Sequence, residues 1–189
     1  MSAPTFALTF PPTWQVEILP ARPVILPARH FVYPCDVEEI ERGALEILVR
    51  PDYPGSTAFL ATCALGFRDP VVPTGIWSAP NPREMCAVSG GYVYIIDTSD
   101  PEHFTMLSYR PVLQVHPIVN QGLLLFVGHR SIFAWGPSGE AWETVKLSDE
   151  GVTVTAMEGP VLRGRGWNIM TDKETPFALD LHSGVLLEK

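Results

Sequence analysis

The stretch Met85-Cys-Ala-Val-Ser-Gly-Gly-Tyr-Val-Tyr-Ile-Ile-Asp97 joins two short apolar runs through a Ser-Gly-Gly turn. A polar segment at 98–103 follows, and then a third run, Phe104-Thr-Met-Leu107. Short runs rich in β-branched and aromatic residues, bounded by Gly, Ser and Asp, are typical of β-strands. The stretch therefore predicts a unit of strand, turn, strand, turn and strand.

The same pattern occurs twice more toward the C-terminus. Its second copy comprises Gly122-Leu-Leu-Leu-Phe-Val-Gly128, Ser131-Ile-Phe-Ala-Trp135 and Trp142-Glu-Thr-Val-Lys-Leu147, and its third comprises 161–167, 176–181 and 185–187. A further strand is predicted before each of these copies, at 112–119 and at 152–158. The units recur about every 40 residues, a period that favours a repeat architecture of four strands per unit.

These units resemble the blades of β-propellers. Tyr94-Ile-Ile-Asp-Thr-Ser-Asp-Pro101 and Ile132-Phe-Ala-Trp-Gly-Pro-Ser-Gly139 are similar to blade strands followed by their hairpin turns. The resemblance implies an all-β protein whose antiparallel sheets are arranged as propeller-like blades, and it points to no particular family. A β-sandwich or a distorted barrel is the alternative, because short strands separated by regular turn residues suit it equally.

Residues 1–83 are rich in proline, with thirteen of the nineteen prolines of the chain. Proline lacks a backbone donor and disrupts helices, so this half predicts loops and short strands, at 13–19, 45–49 and 57–67. The only helix candidate is Asp36–Arg42, which Asp36 could cap and Gly43 could end. We therefore expect one all-β domain over 1–189, with Pro-rich strands and loops in 1–83, three blade-like repeats in 84–189 and at most one short helix.

Composition and charge restrict the partners and the location. Thirteen Lys and Arg against 21 Asp and Glu give a net charge of −8, which disfavours binding to a nucleic-acid backbone. The sequence shows neither a signal peptide nor an apolar span of about 18 residues. Cys35, Cys63 and Cys86 are an odd number at wide spacings, which predicts reduced thiols acting as small core residues. We expect a cytoplasmic protein that binds neither nucleic acid nor membrane.

The sequence offers no catalytic constellation. Ser89 lies in a predicted hairpin turn rather than in a nucleophile elbow. The five histidines are scattered, without the short spacing typical of a metal site. Asp172 and Glu174 could form an acid and base pair, although carboxylates in a polar loop are usually only solvated. We therefore predict no catalytic residue, no metal and no cofactor, and these features disfavour an enzyme without deciding the question.

Five residues are candidates for binding a ligand or a partner. Arg163, Arg165 and Trp167 alternate along a predicted strand and would share one face, where two guanidiniums beside an indole suit an anionic group or an acidic protein surface. Asp172 belongs to the same segment, and Trp77 is predicted on a proline-flanked loop. The alternative is structural: the indoles pack on the core, and the arginines pair with local acids.

The function that best fits these features is a non-enzymatic interaction or scaffold module with a protein partner or a homodimer. The alternative is a small-molecule-binding protein, or an enzyme of the hydrolase or lyase type, with a pocket where the sheets converge.

Overall fold

The computed structural model describes residues 4–35 and 42–188, and for Glu188 its backbone alone. Strands account for 51% of the described residues and helix for 2%, which confirms the all-β class. A single 3-10 turn, Val119–Gln121, is the helical segment within the described residues. Most of the helix candidate at 36–42 lies outside them, since residues 36–41 are not described.

The strands are numbered in chain order. They are β1 (Thr5–Ala7), β2 (Trp14–Leu19), β3 (His30–Tyr33), β4 (Ala44–Pro51), β5 (Phe59–Ala64), β6 (Gly75–Ser78), β7 (Glu84–Ser89), β8 (Tyr92–Asp97), β9 (Phe104–Met106), β10 (Gln114–Ile118), β11 (Leu123–Val127), β12 (Ile132–Gly136), β13 (Gly139–Glu143), β14 (Val152–Glu158), β15 (Val161–Asn168), β16 (Lys173–Asp180) and β17 (Leu186–Glu188).

These strands form four mostly antiparallel sheets. Sheet 1 has the order β2-β4-β5-β3, sheet 2 the order β1-β6-β7-β8-β9, sheet 3 the order β10-β11-β12-β13 and sheet 4 the order β14-β15-β16-β17. Sheets 3 and 4 are simple meanders of four successive strands. The chain divides into two compact units, 1–111 and 112–189, and the expectation of a single domain stays a prediction.

Unit 1 contains sheets 1 and 2, in which two pairs of strands are parallel: β3 with β5, and β1 with β6. One side of each sheet contributes to a common apolar core that includes Ile47, Phe59, Met85 and Ile96, all fully buried. Burial of large apolar side chains of this kind is the main favourable contribution to folding. The hydroxyl of the buried Tyr33 donates to the carbonyl oxygen of Pro101 at 2.7 Å, so its polar end is satisfied within the core.

Unit 2 contains sheets 3 and 4, which share a second apolar core. Leu125, Ile132, Leu162 and Leu179 are fully buried members of it. Trp142 on β13 also belongs to this core, and its Nε1 donates to the carbonyl oxygen of Leu181 at 3.0 Å. This one side chain therefore joins sheet 3 to the end of β16 in sheet 4.

Most of the predicted strands are confirmed, with shifted bounds. A strand not predicted, β6, precedes the first copy of the repeated pattern. The third strand of the second copy is Gly139–Glu143 rather than 142–147. Arrangement of the four sheets as blades stays a prediction, and the sandwich alternative fits sheets of this kind.

Two local predictions are wrong. Trp77 lies in β6, between Ala7 of β1 and Cys86 of β7, and not on a loop. Cys63 and Cys86 are buried as predicted, but Cys35 is exposed and is not a core residue. The loop was predicted because Pro73 and Pro80 flank Trp77. These prolines instead lie on either side of a strand of only four residues.

The hairpin of β12 and β13 has an irregular register. Its register places Trp142 opposite Ala134 and Trp135 opposite Glu140, because a bulge lies between Ala134 and Trp135. The two indoles are therefore not directly opposite each other across the hairpin.

No helix in the described part of the chain is long and apolar enough to cross a membrane.

Candidate interaction surface

The alternation of side chains along β15 is as the sequence predicts. Arg163 and Arg165 are exposed and Trp167 is half-buried, while Leu162, Gly164 and Gly166 are buried. Neighbouring residues of a strand point to opposite sides of the sheet. The two arginines and the indole therefore share one face of sheet 4, and the glycines face the core.

The core-facing glycines have a steric reason. A Cβ on Gly164 would lie 2.4 Å from the ring of Phe177, and a Cβ on Gly166 would lie 2.2 Å from the carbonyl oxygen of Leu147. Both distances are far below a van der Waals contact, so the ring and the crossing backbone fill the space that larger side chains would need. The motif Arg-Gly-Arg-Gly-Trp thus combines a close-packed inner face with a polar and aromatic outer face.

Arg165 pairs with a nearby acid, as the structural alternative in the sequence analysis predicts. Its Nη1 donates to Oε2 of Glu174 at 3.3 Å, and the two side chains are 59% and 49% exposed. Exposed pairs of this type contribute about 0–1 kcal/mol. The contact occupies one of the five N–H donors of the guanidinium, which leaves the others able to bind a further carboxylate.

The turn between β15 and β16 is held by side-chain hydrogen bonds. Oδ1 of Asn168 accepts from the backbone N–H groups of Met170 at 3.0 Å and Thr171 at 3.2 Å. Oδ2 of Asp149 accepts from the N–H of Ile169 at 2.9 Å. Hydrogen bonds from Lys146 and from Ile169 lower the pKa of Asp149 below its usual value, with the lysine contact the larger cause. The carboxylate therefore stays ionised as a stable acceptor for this turn.

Two apolar side chains project from this ordered turn. Ile169 is 67% exposed and Met170 is 89% exposed. We define the β15 surface as Arg163, Arg165, Trp167, Ile169 and Met170. The structure thus brings three of the predicted residues together on one face, and it adds two apolar neighbours that the sequence analysis did not select.

The other two predicted residues lie differently. Asp172 is exposed at the end of the turn with a φ of 55°, and the ion pair of Arg165 is with Glu174 instead. Trp77 belongs to unit 1 and is 5% exposed. An indole this deeply buried has a packing role within the structure.

A buried polar network in unit 1 was missed by the sequence analysis. Glu46 on β4 is 6% exposed and Thr62 on β5 is fully buried. Oε1 of Glu46 accepts from Nε of Arg22 at 2.8 Å, and its Oε2 accepts from the hydroxyl of Thr62 at 2.5 Å. His30 on β3 completes the chain, with Nε2 at 2.8 Å from the same hydroxyl oxygen. Each buried polar group of this network thus has a partner, as burial demands.

The direction of these hydrogen bonds defines the neutral tautomer of His30. The Thr62 hydroxyl donates its one hydrogen to Glu46, so the Nε2 of His30 is the donor to Thr62. The lone pair of the neutral ring is then on Nδ1. The arrangement can therefore accept a proton at Nδ1, while the Glu46 carboxylate orients the ring through Thr62.

The surroundings of His30 predict a pH dependence of stability. Its pKa lies below 6.5, mainly because burial disfavours the imidazolium and also because Arg22 lies nearby, while Glu46 opposes the shift. The unfolded chain then binds the proton at higher pH than the folded chain. The contribution of His30 to the free energy of unfolding is fully present above the pKa that this histidine has in the unfolded chain. It declines as the pH falls toward the lower pKa of His30 in the folded protein, and below that pKa it no longer changes.

His30→Gln is expected to remove this part of the acid decline. Urea unfolding of the wild type and the variant between about pH 7.5 and about pH 5 would measure it, with the exposed His103→Gln as a matched control. An equal acid decline in the wild type and in His30→Gln would contradict the predicted preference for the neutral ring.

The described residues contain no group of three or more His, Cys, Asp and Glu side chains placed to hold a metal ion. The network of Arg22, Glu46, Thr62 and His30 contains only one histidine and one carboxylate. Its polar groups form hydrogen bonds with one another.

No known protein family matches the chain, and no curated protein is similar to it in sequence. Among solved structures, the chain is similar to the computationally designed Ika8 protein at 11% identity and a TM-score of 0.41. That match covers 76% of this chain and 45% of the designed chain, so this chain spans less than half of its length.

Proposed function

We propose that this protein is an interaction module that binds a partner protein through the β15 surface. The observation that carries the proposal is the pair Ile169 and Met170, which are 67% and 89% exposed at a turn that Asn168 and Asp149 hold in place. Exposed apolar side chains next to aromatic and arginine residues are typical of binding hot spots.

The ordered turn favours binding for an entropic reason. A loop that is already held by hydrogen bonds loses little conformational freedom when a partner covers it. Methionine adds a flexible and polarisable side chain that adapts to irregular apolar surfaces. The turn therefore suits an apolar depression on the partner protein.

The charges beside the turn select the kind of partner. The side chain of Arg165 is 59% exposed, and its guanidinium binds Glu174 through a single contact. A carboxylate of a partner can bind the remaining donors in the bidentate geometry that arginine favours. The proposed partner thus presents an apolar depression bordered by Asp or Glu, whose charge is opposite to that of the arginine face.

The combined substitution Ile169→Asp and Met170→Asp is expected to weaken binding by at least about 100-fold, because two apolar side chains lose their burial. A photo-crosslinking residue at Met170 would first identify the partner in the source cells. Calorimetric titration of the purified pair would then measure the affinities. Val119→Asp, which changes an exposed apolar residue of the 3-10 turn between β10 and β11, is the matched control.

An unchanged affinity of the double variant for the identified partner would contradict the proposal. The same conclusion would follow if Val119→Asp weakened binding equally, since the effect would then be independent of the β15 surface. Charge reversal tests the electrostatic part: Arg165→Glu should weaken binding, and an Asp or Glu to Arg change in the partner should restore it.

We propose that this module acts in the cytoplasm. Support comes from its thiols, since Cys35, Cys63 and Cys86 are free and unpaired thiols are typical of reducing compartments. Fractionation of the source cells tests this location, and recovery in an oxidising compartment would contradict it.

A further inference from the structure

The first strand of sheet 4, β14, lies at one end of that sheet. The order is β14-β15-β16-β17, and within the described residues β14 pairs with β15 alone. Its seven residues make it the longest edge strand in the described part of the chain, and four of them are exposed. An edge of this kind presents backbone N–H and C=O groups to which another strand can bind.

The hydrogen bonds of β15 show which backbone groups face the β14 side of the sheet. The N–H of Trp167 donates to Oγ of Ser148 at 2.8 Å, and its carbonyl oxygen accepts from the N–H of Asp149 at 2.8 Å. Ser148 and Asp149 lie just before β14 in the chain, so Trp167 directs both of its backbone groups toward the β14 side. Because these directions alternate along a strand, Arg163 and Arg165 direct theirs in the same way.

Two residues of β14 direct their backbone groups toward the outer edge of the sheet. By the same alternation, Leu162 and Gly164 of β15 direct their N–H and C=O groups toward β16. Their partners in β14 are Met157 and Val154. Residues directly opposite each other in an antiparallel pair either bond to each other or both point away. Val154 and Met157 therefore point away from β15, toward the outer edge.

A bulge lies between these two residues. The pairing of β14 with β15 shifts by one residue between Val154 and Ala156, so Thr155 is the extra residue. Two residues thus separate Val154 from Met157, where a regular strand has one between successive outward-pointing residues. A regular strand added at this edge would lose its register at the bulge, which is how bulges protect sheet edges. A strand with the same bulge keeps its register, and a second copy of β14 is such a strand.

Two β14 strands match each other in one antiparallel register. Val154 of each copy then lies opposite Met157 of the other, and a two-fold axis relates the two pairs. Each pair can exchange two backbone hydrogen bonds, because both of its residues point outward. The side chains gain as well: Met157 is 36% exposed in the single chain, and in this register it packs against Val154 of the second copy.

The same register brings opposite charges together. One residue beyond Val154, Thr153 lies opposite Glu158 of the second copy. Thr153 is also the partner of Arg165 within sheet 4, so its short side chain stands between the guanidinium and the carboxylate. Strands are about 4.8 Å apart, so these two residues are about 10 Å apart, a distance that long Arg and Glu side chains span together. Glu158 is exposed and the side chain of Arg165 is 59% exposed.

We infer that this protein forms a two-fold symmetric dimer through antiparallel pairing of β14 with β14 of a second copy. The two copies of sheet 4 then form one continuous sheet of eight strands, with an Arg165 to Glu158 contact at each end of the new strand pair. This inference goes beyond the function proposed above, because the purified chain alone is sufficient to test it. Ile169 and Met170 have no part in the strand pair.

Sedimentation equilibrium of the purified full chain, at loading concentrations from about 1 to about 300 µM, tests the dimer. We expect a monomer–dimer equilibrium. Glu158→Arg and Arg165→Glu should each weaken it at least about tenfold, because like charges then face each other at two symmetric positions. Glu140→Arg makes the same charge change at an exposed residue of β13, the edge strand of sheet 3. This control should leave the equilibrium unchanged.

A mixture of the two weakened variants tests the register. In a mixed dimer the new arginine of one chain faces the new glutamate of the other, and Glu158 of the second chain faces Arg165 of the first. Both contacts are then attractive, so native mass spectra of the mixture should show the mixed dimer in at least about tenfold excess over either variant's own dimer. Its formation would also show that both variants fold.

Amide hydrogen exchange tests the backbone pairing. The N–H groups of Val154 and Met157 should exchange at least about tenfold more slowly at high protein concentration than at low concentration, because they become bonded in the dimer. Thr153 lies opposite Arg165 and directs its N–H toward β15. Its exchange should not depend on concentration in this way, which makes it the internal control.

Four results would overturn the dimer. They are a monomer at every concentration, a dimer that Glu158→Arg leaves unchanged, a mixture without the mixed dimer, and exchange at Val154 and Met157 that does not depend on concentration. A dimer that is lost in the double variant Ile169→Asp and Met170→Asp, but kept in Glu158→Arg, would assign self-association to the β15 surface instead. We expect that double variant to dimerise normally, so a failure of the proposed partner binding and a failure of this inference are separate results.

Discussion

Gly166→Ala is expected to lower the free energy of unfolding by about 3 kcal/mol, an effect at the upper end for a single added methyl group. The new Cβ would lie 2.2 Å from the carbonyl oxygen of Leu147 and 2.9 Å from its carbonyl carbon. Both are backbone atoms, so no side-chain rotation relieves the overlap. The backbone of 147–149 is also held to β15, since the N–H of Asp149 donates to the carbonyl oxygen of Trp167 at 2.8 Å.

Urea unfolding of the full chain would measure this effect, with Gly136→Ala as the matched control. A Cβ on Gly136 would meet its nearest atom, Cβ of Ala141, at 3.6 Å, an ordinary contact distance. We expect a change below about 1 kcal/mol there. If both variants had similar stability, the close approach of 147 to β15 would not exist in solution.

Trp142→Ala is expected to destabilise unit 2 by about 4 kcal/mol, in the range typical of a large aromatic residue removed from a core. Trp142 is 8% exposed and belongs to the core shared by sheets 3 and 4. Its Nε1 donates to the carbonyl oxygen of Leu181. Its ring also lies against Gly184, where a Cβ would be 2.6 Å from Cε3. The substitution therefore leaves a cavity and an unpaired carbonyl between two sheets.

Two further tryptophan variants separate these contributions. Trp142→Phe keeps an aromatic ring and removes the N–H donor, so we expect a smaller loss of about 1–2 kcal/mol. Trp167→Ala removes an indole from the outer face of sheet 4, where it is half-buried, and should cost about 1 kcal/mol or less. A larger loss of stability for Trp167→Ala than for Trp142→Ala, by urea unfolding, would refute this assignment of inner and outer faces.

Much of the fold follows from local pattern. The alternation of Leu162, Gly164 and Gly166 with Arg163, Arg165 and Trp167 is enough to predict both the strand and its two faces, because side chains alternate with a period of two. Turn residues such as Gly90 and Gly91, with φ of 56° and 75°, mark the hairpin of β7 and β8 in the same way. These features depend on neighbours in sequence.

The buried network of unit 1 could not be predicted in this way. Glu46 lies within Leu45-Glu-Ile-Leu-Val49. The alternation of side chains along this strand indicates only that Glu46 faces away from Leu45 and Ile47. Its partners are 24 positions away at Arg22 and 16 positions away at Thr62. The pairing of β4 with β5, and the path of the segment between β2 and β3, bring these three together. Pairing between remote segments depends on the register of the whole sheet rather than on any local pattern.

By itself, the sequence determined the class of the protein and the outer face of β15, because strand periodicity and turn residues act over a few positions. Tertiary structure alone decided which apolar residues stay in water, such as Ile25 and Met170, and which indoles are buried, such as Trp77. Exposure depends on what the rest of the chain places against a residue. Ile25 and Ile47 are the same amino acid in different surroundings. Ile47 is buried because β4 pairs with β2 and β5 and its side chain faces the core, whereas Ile25 lies between strands and stays in water.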